Sequence, residues 1–364
     1  MTSVADELLR RGLNLESDAT LIPRQAAPYN AEFPIHQWWS WITPTPLFYV
    51  RSHFPVPTLD ASAWHLAIEG EVERSLTLRL SDLQRLPRQR YVALVECAGN
   101  RRTEYEPCPP GVPWRDGAVS NVEWEGVRLA DVLALAGPRA ASREVVLEGA
   151  DQGTVAGVDH PIPFARSLPM ERALHPDTIL ADQMNGSPLT PEHGAPLRAL
   201  VPGAYGMDSV KWLVRLRLLD HPFEGHFQTN DYRLFPPPGG ASPPKPIGPV
   251  RVNSLITWPH GGADLRVGEA VRLVGYAWSG SGTIRGVEIS TDGGSTWTPT
   301  QLTGPEAPYA WRLWQLTWEP KAPGSYVLAA RATDETGASQ PDRVEWNAKG
   351  YANNTIQQIE VRVR

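Results

Sequence analysis

The chain is short of cysteine. Two cysteines in 364 residues, Cys97 and Cys108, cannot make a disulfide framework, and Cys97 reads as a reduced thiol. Long apolar runs are missing as well: no stretch reaches the roughly 18 residues of a spanning helix, so no membrane partner is expected. The first twenty residues, MTSVADELLRRGLNLESDAT, interleave acidic, basic and apolar positions and do not resemble a secretory signal. The expectation is a soluble, cytoplasmic protein. Neither sign of charge dominates: 34 Lys and Arg face 40 Asp and Glu, and the net charge of −6 comes without long runs, which argues against a nucleic-acid partner. There is no His-Glu-x-x-His, no Cys-x-x-Cys, no P-loop and no Gly-x-Ser-x-Gly, so hydrolase, NTPase and zinc readings have no anchor. Without Cys-x-x-Cys-His or a cytochrome b5-like segment, no haem is expected either.

Proline and tryptophan, by contrast, are plentiful, at 36 and 14 residues. Proline at this density breaks helices and favours strands joined by shaped loops. The tryptophans suit a core, an interface or a pocket wall. Residues 235–249, FPPPGGASPPKPIGP, are too rich in Pro and Gly for a helix or a central strand and read as a semi-rigid connector. They divide the chain into an α+β domain, 1–240, and an all-β domain, 245–364. In the first, HLAIEGEV, LTLRL, YVALVEC, EVVLEGA and VKWLVRLRLL read as strands. SDLQRL is a short helix with a capping box from Ser81 to Gln84, and LADVLALAG is a helix stopped at Gly137-Pro138. ADQMNGSPL carries an Asn-Gly hairpin turn. In the second, short alternating strands with turn signals, among them Asp292-Gly293, suggest an immunoglobulin-like sandwich.

The residues with chemical potential are scattered, and each has an ordinary reading. Cys97 ends an apolar run and begins Cys-Ala-Gly-Asn-Arg-Arg, which fits a buried cysteine followed by two surface arginines. FYVRSHFPVP (48–57) puts Arg51 and His53 before a proline-bound loop. PEHGAPLRALVPGAYGMDSVKWL (191–213) combines His193, Arg198 and Lys211. TNDYRLF (229–235) holds Tyr232, and EWNAKGYANN (345–354) holds Lys349.

Taken in order, CAGNRR, VRSHFPVP, HGAPLRALVPGAYGMDSVKW and WNAKGYANN resemble the signature segments of the sulfite oxidase family of molybdenum enzymes, which includes assimilatory nitrate reductases. The resemblance runs from about residue 30 to 364. It implies an α+β fold, a mixed α/β molybdopterin-binding domain followed by an immunoglobulin-like sandwich that mediates a homodimer. It also implies that Cys97 is the one protein ligand to molybdenum, a role suited to a soft thiolate. Gly99 would then let the backbone approach the cofactor. Tyr49, Arg51, Ser52 and His53, with Asp151, His193, Arg198 and the Ser209-Val210-Lys211 segment, would line the pocket of the molybdopterin and its phosphate. Arg51, Arg102 and Lys349 would receive a small oxyanion, and Tyr232 would hydrogen-bond substrate or a metal oxygen.

The activity implied is oxidation of sulfite to sulfate by oxygen-atom transfer, with electrons passed to an external acceptor. Lys349 favours sulfite, because sulfite-oxidising relatives mostly carry arginine there and nitrate reductases an apolar residue. Two departures weaken the positive pocket: Pro110 replaces a frequent lysine, and Asp208 stands where vertebrate and plant enzymes carry arginine. Reduction of another oxyanion such as nitrate is the first alternative. A non-catalytic binding module is the second, which the intact Cys97 speaks against.

Overall fold

The computed structural model describes residues 19–364. The first eighteen residues, with most of the segment compared above with a secretory signal, lie outside the described residues. Among the described residues no helix is long and apolar enough to cross a membrane.

The α+β region carries two five-stranded sheets. One runs Ser187–Pro188, Ile179–Met184, Val119–Arg128 and Arg88–Glu96, with Arg198–Leu200 also paired to Ile179–Met184. The other runs Leu76–Arg79, His65–Gly70, Leu213–Leu219, Glu144–Gly153 and Ile162–Pro169. Local chemistry explains several boundaries. Helix Leu129–Ala136 buries Leu129, Val132, Leu133 and Ala136, a one-sided 3.6-residue pattern, and ends where Gly137 turns to φ +68°. The Asn185-Gly186 turn has φ +51° and +73°, as a tight hairpin of this hand requires.

Three local expectations change. The short helix Leu80–Leu83 is capped by Asp82, whose carboxylate accepts the Arg79 N–H at 2.9 Å, rather than by a Ser81–Gln84 box. The cap lies two residues earlier than the motif assumed, at Arg79, which puts Asp82 three residues from it. The final strand starts at Leu213, not Val210, because Trp212 takes φ +51° and leaves Val210 and Lys211 in the preceding loop. The Pro/Gly-rich connector is not free of strand structure: Lys245–Pro246 folds back to pair with Arg233–Leu234.

Beyond the connector, two sheets face each other. Asn253–Trp258, Val271–Trp278, Arg312–Trp318 and Gln301–Thr303 form one; Asp264–Leu265, Gln357–Val363, Gly324–Asp334, Ile284–Ser290 and Thr298–Pro299 form the other. Between them lies an apolar core that includes Ile256, Leu273, Val287, Trp314, Leu328 and Val361. Asp292-Gly293 does join two paired strands, though in a longer loop in which the Asp292 carboxylate accepts from Thr296.

A second, larger core is continuous across both regions, and tryptophan makes the seam. Trp41 and Trp311 each donate their indole N–H to the other's carbonyl, at 3.2 and 2.8 Å. Trp39 donates to Gly275 O, while the Tyr276 hydroxyl donates to Trp38 O at 2.7 Å. A large buried aromatic contributes about 1.5–3 kcal/mol in apolar area, and satisfying its N–H removes the desolvation cost of that group. The seam holds the sandwich against residues 38–41, while Leu94 N donates to Tyr309 O at 2.8 Å and the Trp278 indole donates to Glu96 at 2.9 Å, tying the sandwich to the strand that leads into Cys97.

Candidate active site

The strand Arg88–Glu96 buries its last four residues, so Cys97 leaves the sheet inside the core. The turn after it is fixed by backbone bonds from Cys97 N to Ala118 O and from Asn100 N to Cys97 O, both 2.9 Å. Arg101 turns to φ +61° and is wholly buried, and is no surface arginine. Its guanidinium bonds Glu104, Asn253 Oδ1 at 3.0 Å and Thr355 O at 2.7 Å, stapling the Cys97 loop to the sandwich. Ala352 N donates to Ala98 O at 2.7 Å from the other side.

Two cavities meet at this turn. The inner one brings together Tyr49, Ser52, His53, Asp151, His193, Arg198, Ser209, Val210 and Lys211. The outer one is lined by Arg102, Lys349 and Pro110, among others. Arg51, Cys97 and Tyr232 line both. Cys97 is 7 % exposed, and burial pushes its thiol up, against the pull of Arg51 and Arg102. Among the described residues no three His, Cys, Asp or Glu side chains cluster as a metal cage.

In the inner cavity the cations are held by neutral groups. Arg198 donates to His193 O and Ser209 O and lies 4.9 Å from the Trp124 ring centroid. Burial brings it down to about 10. Lys211 donates to Glu192 O at 2.7 Å and Ser52 Oγ at 3.2 Å, and burial holds it well below a lysine's ordinary range, with Arg198 adding to the effect. His193 is pushed to about 3 by burial and is neutral. Asp151 Oδ1 is buried without a hydrogen-bond partner, and burial raises its carboxyl to about 7. His53 stacks on Phe164 at 4.4 Å and shares a hydrogen bond between Nε2 and the Tyr232 hydroxyl. Burial holds the His53 imidazole well below its ordinary range and the Tyr232 phenol well above its own, so both are neutral at pH 7.

In the outer cavity Arg102 threads between three glycines. A Cβ on Gly99 would lie 2.7 Å from Nη2, one on Gly111 2.6 Å from Nη1, and one on Gly350 2.8 Å from Cγ. Gly99 thus makes room for Arg102. Arg102 donates to Lys349 O at 3.0 Å and Val112 O at 2.8 Å. Lys349 itself is ion-paired to Asp231 at 2.6 Å. Asp208 faces neither cavity. Its carboxylate accepts Nε and Nη2 of Arg166, at 2.9 and 2.8 Å, and the Arg166 guanidinium lies 5.7 Å from the Tyr232 ring centroid. The negative charge at Asp208 is therefore compensated by a second arginine.

Asp231, Tyr351 and Arg166 were not singled out from the sequence. Tyr351 stacks on Tyr232 at 5.3 Å. It and Asp231 sit inside the motif segments around Lys349 and Tyr232, one or two residues from the side chains that drew attention. Nothing local to Arg166 marks it.

Residues 53–227 match the family model for the oxidoreductase molybdopterin binding domain, and residues 245–364 that for the Mo-co oxidoreductase dimerisation domain. The chain is 38% identical over 357 residues to the mitochondrial sulfite oxidase of Mus musculus, covering 92% of this chain and 64% of the mouse protein. It is 37% identical to the sulfite oxidase of Gallus gallus, over 89% of this chain and 74% of that protein. A nitrate reductase of Hordeum vulgare is 34% identical, over 92% of this chain and 41% of that protein. Among solved structures, the sulfane dehydrogenase SoxCD of Paracoccus pantotrophus superposes with a TM-score of 0.80 at 32% identity, covering 92% of this chain and 84% of that one. This chain belongs to the sulfite oxidase family of molybdopterin-dependent oxidoreductases.

Proposed function

We propose that this chain oxidises sulfite to sulfate at a molybdenum–molybdopterin centre and passes the electrons to an external acceptor. One observation carries the reading: Cys97, Arg51 and Tyr232 form the wall between a buried cationic cavity and an outer cavity that also carries cations.

The residues fit the cofactor. Asp151 Oδ1 is an orphaned buried acceptor, suited to pterin N–H groups. Arg198, buried, and Lys211, half-buried, are cations whose side-chain hydrogen bonds go to carbonyls and a hydroxyl, suited to a phosphate. Cys97 would hold the metal through its thiolate. When bound, this group supplies the two-electron, oxygen-atom-transfer chemistry.

The chain's own residues bind and orient. Arg102, fixed by two carbonyls and three glycines, presents a preorganised guanidinium to an oxyanion in the outer cavity. Lys349 adds a second charge, tempered by Asp231. Tyr232 keeps its proton at neutral pH and is oriented by His53 and by stacking on Tyr351. It supplies a fixed hydroxyl at the junction of the cavities. Arg51 lies on the same wall and draws both chambers positive. Overall the reaction consumes sulfite and water and releases sulfate, two protons and two electrons. The proposal extends to a homodimer through residues 245–364, in keeping with the matched dimerisation domain.

The test is metal analysis together with steady-state assays. About one molybdenum per chain and sulfite-dependent reduction of ferricyanide are expected. Nitrate reduction without sulfite oxidation would replace the substrate; a metal-free protein from a cofactor-competent host would sink the enzyme reading.

A further inference from the structure

Tyr232 borders a third chamber as well. It is a concave site between the α+β region and the connector around residues 246–249. Arg166, Arg172 and Arg233 line it, against one lining carboxylate, Asp208, which is engaged by Arg166. Arg172 bonds only to Pro202 O, and Arg233 donates to Pro244 O at 2.7 Å; among the described residues neither has an ion pair. Two positive charges are thus left uncompensated in one concave site. Ser167 lies in the same wall, is 4 % exposed, and its hydroxyl has no hydrogen-bond partner. A buried hydroxyl without a partner and two uncompensated guanidinium groups both carry a desolvation cost that an oxyanion ligand would offset.

We propose that this chamber is a second anion site, which takes a small tetrahedral oxyanion of the sulfate or phosphate class on Arg172, Arg233 and Ser167. The proposed function enters only in naming sulfate, its product, as one source of that anion. Because Tyr232 and Met207 also line the cofactor cavity, the site is separated from the reaction chamber by a single layer of side chains.

Calorimetric titration of the holoenzyme with sodium sulfate, and separately with sodium phosphate, tests the site. Two classes of anion binding are expected in the parent. Arg172→Gln/Arg233→Gln should lose one class, with a roughly 10- to 150-fold weaker affinity and an unchanged sulfite KM. Arg102→Met should lose the other class and keep this one. Tighter sulfate binding identifies the product as the source, and tighter phosphate binding identifies free phosphate; either supports the site. A single binding class that disappears in Arg102→Met overturns it, as does a double variant that keeps both classes. If the double variant melts early, Ser167→Ala and the two single variants carry the same readout. Anion binding without sulfite oxidation would leave this inference standing and remove the proposed function instead.

Discussion

The two cavities that share Cys97 hold their cations differently. In the inner one, Arg198 and Lys211 are pinned by carbonyls and a hydroxyl, and Asp151, whose charge acts on Lys211, has an oxygen left unbonded. In the outer one, Lys349 has a carboxylate of its own in Asp231. A buried charge without a counter-ion is costly, and a resident anion offsets that cost. A chamber whose anion arrives and leaves must keep its lysine stable in the interval, and Asp231 does that. Arg102 meets the same requirement without a carboxylate, through two carbonyls and a close-fitting cradle of glycines.

The comparison breaks most visibly at the shared wall. Cys97→Ser should bring sulfite oxidation to background while the melting temperature stays near the parent's, because one sulfur adds little to the core. Full activity in that variant would end the assignment of Cys97 as the metal ligand. Next come the inner cations. Arg198→Met should weaken cofactor retention by roughly 10- to 150-fold, the loss of one charged hydrogen-bond partner. The readout is the molybdenum content after gel filtration, with the sulfite KM of the loaded fraction unchanged. If KM rises and the metal stays, the roles of the two cavities are exchanged.

The outer cations give the converse pattern. Arg102→Met should raise the sulfite KM by roughly 10- to 150-fold at constant molybdenum. Lys349→Met should do so too, because it leaves the Asp231 carboxylate unpaired beside the incoming anion. Adding Asp231→Asn to that variant should recover a large part of the loss. Kinetics of the double variant equal to those of Lys349→Met would mean that Asp231 does not act through the lysine.

The smallest effect lies behind Cys97. Glu96 is wholly buried, accepts from Asn100 and from Trp278 of the sandwich at 2.9 Å each, and burial raises it from 4.5 to about 7. A carboxyl raised in the folded state contributes stability that is full below pH 4.5 and lost as pH rises through about 7. In the cofactor-free protein this amounts to about 3 kcal/mol at most. Melting curves at pH 5 and pH 8 should therefore differ less in Glu96→Gln than in the parent. An unchanged difference would mean that another group carries the slope.

Much of the site was legible because its residues come in four short segments, each held by local turn chemistry around a strand end. Cys97, Arg51, His53, Arg198, Lys211 and Lys349 could be picked out by number, and the fold brings them to two adjoining chambers. Their pairings were not legible. Lys349 finds Asp231 across 118 positions, and Arg166 finds Asp208 across 42. Nor was it legible that Gly99 makes room for a guanidinium.

By itself the sequence determined what depends on a few consecutive dihedrals and on side-chain periodicity. The Asn185-Gly186 turn, the stop at Gly137, the alternating strands and the burial of the Cys97 strand end are of this kind. Tertiary structure alone decided which neutral or charged group each buried cation would meet, where the connector would fold back, and that tryptophans far apart in the chain would lock two regions together. The reason is physical: dihedral preference and amphipathic pattern act over a few residues, whereas the partner of a buried charge is set by packing across the whole chain.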